Sequence, residues 1–414
     1  MIKFDKFILD NGLKVIVHKD ESTPIVAFNV LYNVGARDEK PEKTGFAHLF
    51  EHLMFGGSVN IPRFDKPLEK VGGENNAFTN NDITNYYLTL PKQNLETAFW
   101  LESDRMLSLA FSPKSLEVQK NVVVEEFKQS YLNQPYGDVW LLLKPLAYKV
   151  HPYQWPTIGK NIAHIENAVM KDVKDFYNKF YNPNNAILTI AGNVELKEIK
   201  ILAKKWFGPI ENKNSFVRNL PEEPTQENAR ELTVERDVPF DSIIKAYHIC
   251  SRTDKAFYAV DLLSDILSSG QSSRLYKELY KKQQLFSDIN AYISGDIDKG
   301  LMIIEGKLIK GIPMEKAENA IINELNKICS VLIDDEELQK VKNKVESNLI
   351  FAELSILNKA MTLSYFELLG DASQINEETN EYLRVTKEQI IEQAKTVFKP
   401  SNCSTLHYLA KNRD

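Results

Sequence analysis

The sequence predicts an α+β fold made of two similar domains, each a sheet packed with helices. Three observations carry this. The chain opens in strands, passes into helices and returns to a buried strand; a polar, proline-punctuated stretch then interrupts it; and the pattern afterwards starts again. At 414 residues the chain exceeds one ordinary core, and its composition, 43% hydrophobic and 26% charged, is that of a soluble globular protein.

The elements follow in order. KFILDNGLKVIVHKD reads as two short strands around Asp10-Asn11-Gly12, a hairpin signal. A longer strand runs from Val26 to Val34 and ends at Gly35. In KTGFAHLFEHLMFGG, Phe46, Leu49, Phe50 and Leu53 recur at helical spacing, and Gly56-Gly57 supply the stop. NNAFTNNDITNYYLTLP reads as a strand pair turning near Asn80-Asn81. LETAFWLESDRMLSLAF and SLEVQKNVVVEEFKQSYL are helical, and NAILTIAGNV is the closing buried strand. Residues 209–231, with Pro209, Pro221, Pro224 and many charges, read as an exposed linker between domains at 1–208 and 232–414. Beyond it come a strand (DSIIKAYHI), a helix (FYAVDLLSDILSSG), two strands (DINAYISG, KGLMIIEGKL) and helices to the end.

An internal duplication is testable on one stretch. Setting HLFEHLMFGG on DLLSDILSSG pairs Leu49 with Leu262, Phe50 with Leu263, Leu53 with Ile266 and Gly57 with Gly270. At the polar positions His48, Glu51 and His52, the second copy has Asp261, Ser264 and Asp265. The apolar skeleton repeats and the His/Glu set does not, so packing does not require that set.

A net charge of −6 argues against nucleic acid or an anionic membrane surface as partner. Cys250, Cys329 and Cys403 lie far apart without metal-ligand spacing, and read as small buried residues in a reducing compartment. The first residues lack the basic and apolar regions of a signal peptide, and no window has the length of a membrane span. The expected location is the cytoplasm.

The chemistry concentrates in one helix. Residues four apart lie above one another, so His48 and His52 present both imidazoles on one face, close enough to share a metal ion. Glu51 stands beside that face and can reach a water on the metal without being a ligand. Two imidazoles and one further protein ligand leave zinc an open position, the mark of a catalytic site. H-x-x-E-H is the reverse of H-E-x-x-H and supports the same division of labour.

GFAHLFEHLMFGGS, NNAFTNNDITNYY, LESDRM, NVVVEEF, HPYQWPTIG and YNPNNAILTIAGNVE, in that order, resemble the N-terminal domain of the pitrilysin/insulinase family of zinc peptidases. Within it the chain is most similar to the bacterial branch related to mitochondrial processing peptidase. The resemblance implies mostly antiparallel sheets, two domains forming one half of a clamshell, and a zinc-binding peptidase domain at 1–208 followed by a repeat domain without metal ligands. It implies one Zn2+ per chain, held by His48, His52 and a glutamate in a motif like VILRE. The matching stretch is Val122 to Glu126, which selects Glu126 over Glu125 as third ligand, and Glu51 as general base. Glu126 follows Val122 and Val123 by four and three positions, so it is expected to share a face with core-directed residues. Where the family often carries another acid, this chain has Gln119, and a tuning effect around the ligands is expected.

NNAFT resembles the family's substrate-receiving edge strand, with Asn76 and Ala77 expected against the scissile region. Active members usually present an arginine and a tyrosine in a pattern like LRxxxxLxY; the corresponding LYKKQQLFS has Tyr280 and Ser287 there, and Arg274 and Tyr276 nearby are expected to be structural. The chain therefore resembles the catalytic subunit of a two-chain enzyme acting on short or unfolded peptides. Its partner would be a second family subunit of similar size carrying the arginine and tyrosine, or a second copy of the chain. The alternatives are a catalytically silent scaffold subunit and a closed zinc-binding interaction module; the latter needs a fourth protein ligand.

Overall fold

The computed structural model describes residues 1–213 and 217–411; Asn214, Ser215 and Phe216 of the expected linker lie outside the described residues. Two compact units emerge, each made of three chain segments. The first is Met1–Gln129, Trp155–Leu220 and Ile350–Glu377; the second is Ser130–Gln154, Pro221–Leu349 and Glu378–Asp414. The contiguous division at 1–208 and 232–414 differs from this partition at two exchanged segments. The reason is tertiary. The helix Ile356–Leu369 buries its face on the first sheet, and the helix Val139–Ala147 buries its face on the second.

The first sheet contains β1 (Asp5–Ile8), β2 (Lys14–Lys19), β3 (Ile25–Tyr32), β4 (Glu74–Thr79), β5 (Thr84–Pro91) and β6 (Ala186–Gly192), in the order β1-β2-β6-β3-β5-β4. Only β2 and β6 run parallel. The expected hairpin is present, with Gly12 at φ +85° in its turn. β6 is buried throughout, because side chains on both faces are covered, and alternation explains how. On β3, Phe28 packs edge-on to Phe99 at 4.9 Å, on the side of the helix Leu95–Leu107. Its neighbour Asn29 points the other way and donates to Ser364 Oγ at 2.9 Å on the exchanged helix. Asn29 also accepts from Asn85 at 2.8 Å, and Ser364 pairs with Thr189 at 2.8 Å, so this buried polar row is linked by hydrogen bonds, with Asn85 Oδ1 left without a partner among the described residues.

The second sheet contains β7 (Arg230–Arg236), β8 (Ser242–His248), β9 (Phe286–Ile293), β10 (Leu301–Leu308) and β11 (Cys403–Ala410), in the order β7-β11-β8-β10-β9. Omitting β1, this repeats the first sheet strand for strand, including one parallel pair, β7 with β11. The duplication extends to the tested stretch. The helices Phe46–Met54 and Phe257–Ser268 each follow the third strand of this shared order; Leu49, Phe50, Leu262, Leu263 and Ile266 are all buried. Gly57 and Gly270 both take left-handed backbone, at φ +92° and +79°, which explains why glycine repeats there.

Two strands were not expected. β11 ends the described chain where helices were predicted, and β7 begins inside the expected linker. The linker otherwise has no helix or strand among its described residues, but it is not simply exposed. Glu223 is buried and accepts the backbone N–H groups of Lys149, Val150 and His151 at 2.8–3.0 Å; Gln226 is buried against Cys403 O at 2.8 Å. Cys403 is buried, Cys250 and Cys329 are half-buried, and all three are free. No helix among the described residues is long and apolar enough to cross a membrane.

His248, at the end of β8, lies 5.1 Å from the Tyr148 ring, and its Nε2 is buried without a hydrogen-bond partner among the described residues. Burial pushes its imidazole down to about 4, although Glu223 favours the charged form. The folded value lies below that of an unfolded chain, about 6.5, so the unfolded state takes up the extra proton between the two. The contribution is complete above about pH 6.5 and is lost on acidification towards pH 4, on the order of 3 kcal/mol. In urea titrations across that window, His248→Phe is expected to flatten the fall in stability; an unchanged slope would assign the acid sensitivity to other groups.

Candidate metal and active site

Both helices that carry the predicted ligands have defined starts. The helix Phe46–Met54 begins after Gly45 at φ +85°, where a Cβ would stand 2.5 Å from Ile158 O. Its first N–H groups are taken by Glu39, whose buried carboxylate accepts from Gly45 N at 2.9 Å and Ala47 N at 2.8 Å. The helix Pro113–Phe127 is capped by Ser112, whose Oγ accepts from Ser115 N at 3.0 Å, with Pro113 in the first turn.

The two helices pack together, and Val123 and Phe127 supply the buried face of the second. Val122, expected to face the core as well, is 44% exposed: successive helical residues are about 100° apart, and the packed side falls at Val123 and Val124. Glu126 sits between those directions, half-buried, with its carboxylate toward the histidines. Glu125 turns outward to Lys128 at 2.6 Å.

The structure brings His48, His52 and Glu126 together. Their Nε2 atoms are 3.3 Å apart, and the Glu126 oxygens lie 3.7 Å from His48 Nε2 and 3.5 Å from His52 Nε2. Among the described residues this is the one group of three or more His, Cys, Asp or Glu able to converge on a metal ion. Bonds of about 2.0–2.1 Å in a tetrahedral shell place donors about 3.3–3.4 Å apart. The spacing of the three donors therefore fits a zinc ion. Burial holds the His48 imidazole below its usual range, against the pull of Glu126, which favours the neutral form that coordinates. The hydrogen bond with His52 holds the Glu126 carboxyl below its usual range. His48 Nδ1 is buried without a hydrogen-bond partner, and no hydrogen bond joins Gln119 to either histidine among the described residues.

Glu51 lies outside this triangle. Burial pushes its carboxyl above the usual carboxylate range, while Thr79 pulls it back: Thr79 Oγ1 donates to Glu51 Oε2 at 2.6 Å. Thr79 ends β4, the free edge of the first sheet, so the strand that bears Asn76 and Ala77 runs up to the Glu51 carboxylate. Ala77 stands at a non-hydrogen-bonded pair with Tyr86, so its N–H does not donate to β5; it donates to Asn76 Oδ1 at 2.8 Å, which identifies it as a donor on the open edge. Thr79 and Glu39 were given no role in the sequence reading. Thr79 lay within NNAFT, and alternation from Ala77 could have marked its backbone as edge-facing.

The second unit shows what the repeat made of the same positions. Asp261 accepts from Tyr382 OH at 2.6 Å, and Asp265 lies 3.9 Å from Lys344 Nζ, so a side-chain ammonium stands near the repeated pair. Arg274 is structural, in a two-pronged ion pair with Glu337 at 2.7 and 2.9 Å. Tyr280 is exposed and stacked on Tyr276 with centroids 4.7 Å apart, and Ser287 Oγ donates to Lys307 O at 3.2 Å.

Residues 14–159 match the family model described as insulinase (peptidase family M16), and residues 168–345 match the one described as the peptidase M16 inactive domain. The chain belongs to the M16 peptidase family. Zinc protease PqqE of Helicobacter pylori is 29% identical over 410 residues, spanning 98% of this chain and 92% of that protein. A Bacillus subtilis relative described as the uncharacterized zinc protease YmxG is 25% identical, spanning 96% of each. Among solved structures, a protease from Helicobacter pylori superposes with a TM-score of 0.92 at 29% identity, covering 99% of this chain and 100% of that one. Pitrilysin superposes with a TM-score of 0.77 at 20% identity; 99% of this chain covers 45% of that one, a likeness of fold.

Proposed function

We propose that this M16 chain is a zinc-dependent endopeptidase that cleaves short or unfolded peptides, with His48, His52 and Glu126 as metal ligands and Glu51 as general base. One observation carries the reading: three donor atoms converge at metal-ligand spacing while the neighbouring carboxylate of Glu51 stays outside the set. Zinc, when bound, supplies Lewis-acid polarisation and acidifies water. The chain supplies the rest. A peptide adding to the open edge of β4 gains backbone hydrogen bonds through Ala77 and places its scissile region beside Glu51. Glu51 accepts the proton of the attacking water and returns it to the leaving amine; its raised affinity for a proton suits both steps.

The partner in this reading is a second family subunit presenting the arginine and tyrosine that Tyr280 and Ser287 do not provide, or a second copy of the chain. Hydrolysis of a mixed quenched-peptide library by the purified zinc-loaded chain tests both. Cleavage by the chain alone is expected if a homodimer suffices; cleavage only after adding a second family subunit points to the heterodimer.

A silent scaffold subunit is the second reading, for which the match of residues 168–345 to a model described as inactive leaves room, although that stretch holds none of His48, Glu51, His52 and Glu126. No cleavage in any combination, with zinc bound, would decide for it.

A further inference from the structure

Thr79 connects two parts of the site that the proposed reaction uses separately. It is the last residue of β4, two positions after Ala77, so its backbone faces the same open edge. Its side chain turns to the opposite task and donates to Glu51 Oε2 at 2.6 Å. A threonine hydroxyl has a single proton. Given to Oε2, that proton leaves Glu51 Oε1 as the oxygen free to accept another. Behind the hydroxyl, Thr84 Oγ1 stands 3.5 Å from Thr79 Oγ1 and donates its own proton to Val34 O at 2.9 Å, so it does not compete for the proton that Thr79 gives to Glu51. Thr84 is fully buried in β5, directly opposite Thr79 in the ladder, so Thr79 is seated by strand pairing against the sheet.

We infer that Thr79 is a positioning residue: it fixes which oxygen of Glu51 takes the proton and ties the base to the strand that receives the peptide. The inference rests on the peptidase reading, in which Glu51 is the base. Holding a base in place is worth far more than one hydrogen bond, because small displacements of a reacting group cost up to about a hundredfold in rate.

Thr79→Val keeps the shape and β-branching and removes the donor; Thr79→Ser restores the donor. The zinc-loaded full chain, with its partner if one is needed, is compared in the three forms by peptide kinetics, zinc content and crystal structure. Thr79→Val is expected to lower kcat about tenfold or more with KM within about twofold, because the edge strand is intact while the base is released. Zinc content should stay unchanged, the Glu51 side chain should leave its position in the crystal, and Thr79→Ser should recover both. An unmoved Glu51 with an unchanged kcat would overturn the inference, as would a loss in Thr79→Val that Thr79→Ser does not restore. If the unaltered chain cleaves no faster than Glu51→Gln, the peptidase reading fails, and the crystallographic arm still decides whether Thr79 holds Glu51.

Discussion

Glu51→Gln is expected to reduce peptide cleavage by at least about a hundredfold, and by up to about ten-thousandfold, while zinc stays bound at one ion per chain. The two effects separate because of where Glu51 lies. The amide keeps the size of the carboxylate and still accepts the Thr79 hydroxyl, so the half-buried pocket is preserved. Glu51 is not among the three donors that converge, so removing its charge leaves their spacing intact. The amide cannot take up a proton at any ordinary pH, and the step assigned to Glu51 is lost. Loss of zinc in the variant would make Glu51 a ligand; cleavage within a few-fold of the unaltered chain would remove it from the chemistry.

Arg105→Met is expected to destabilise the chain by about 3–5 kcal/mol, read as a large fall in the urea midpoint. Arg105 and Glu102 are both fully buried, joined by two hydrogen bonds of 2.6 and 2.8 Å, and the guanidinium lies 4.4 Å over the Tyr86 ring and 4.5 Å over Phe64. Methionine fills much of the same volume but leaves the Glu102 carboxylate without its partner. Burial already pushes that carboxyl up, with Arg105 opposing it, so the unpaired acid folds only by taking a proton. Adding Glu102→Leu to Arg105→Met should recover part of the loss, since an apolar pair of similar size lacks the stranded charge. A single variant as stable as the parent would show that the pair is energetically idle. The consequence reaches the site, because Tyr86 and Tyr181, whose hydroxyls pair at 3.3 Å, both feel the charges of Arg105 and of Glu51.

The parts of this architecture that follow from near neighbours in the chain were readable. Asn11-Gly12 marked the first hairpin, and the spacing of Phe46, Leu49, Phe50 and Leu53 gave the helix that carries the histidines. The His48–His52 face followed from the same period, and the structure places their Nε2 atoms 3.3 Å apart. What escaped depends on distant partners. β7 alternates in exposure along Arg230–Arg236, but its pairing with β11 closes across the whole second half of the chain. The repeat itself could have supplied β11, since the first half ends its sheet with β6 in the same place. The exchange of the helices Val139–Ala147 and Ile356–Leu369 has no local signature, because an apolar face does not say which sheet will cover it. Val122 was misread for a related reason: a run of valines on a helix does not say which of them face inward, and packing against the neighbouring helices, the histidine helix among them, buries Val123 and Val124 instead.

The most direct test of the account is a crystal structure of the zinc-loaded chain with anomalous data collected at the zinc edge. One peak is expected, about 2.0–2.2 Å from His48 Nε2, His52 Nε2 and a Glu126 oxygen, with Glu51 uncoordinated and a fourth position open. A peak elsewhere, Glu125 in place of Glu126, or Glu51 closing the shell as a fourth protein ligand would contradict it.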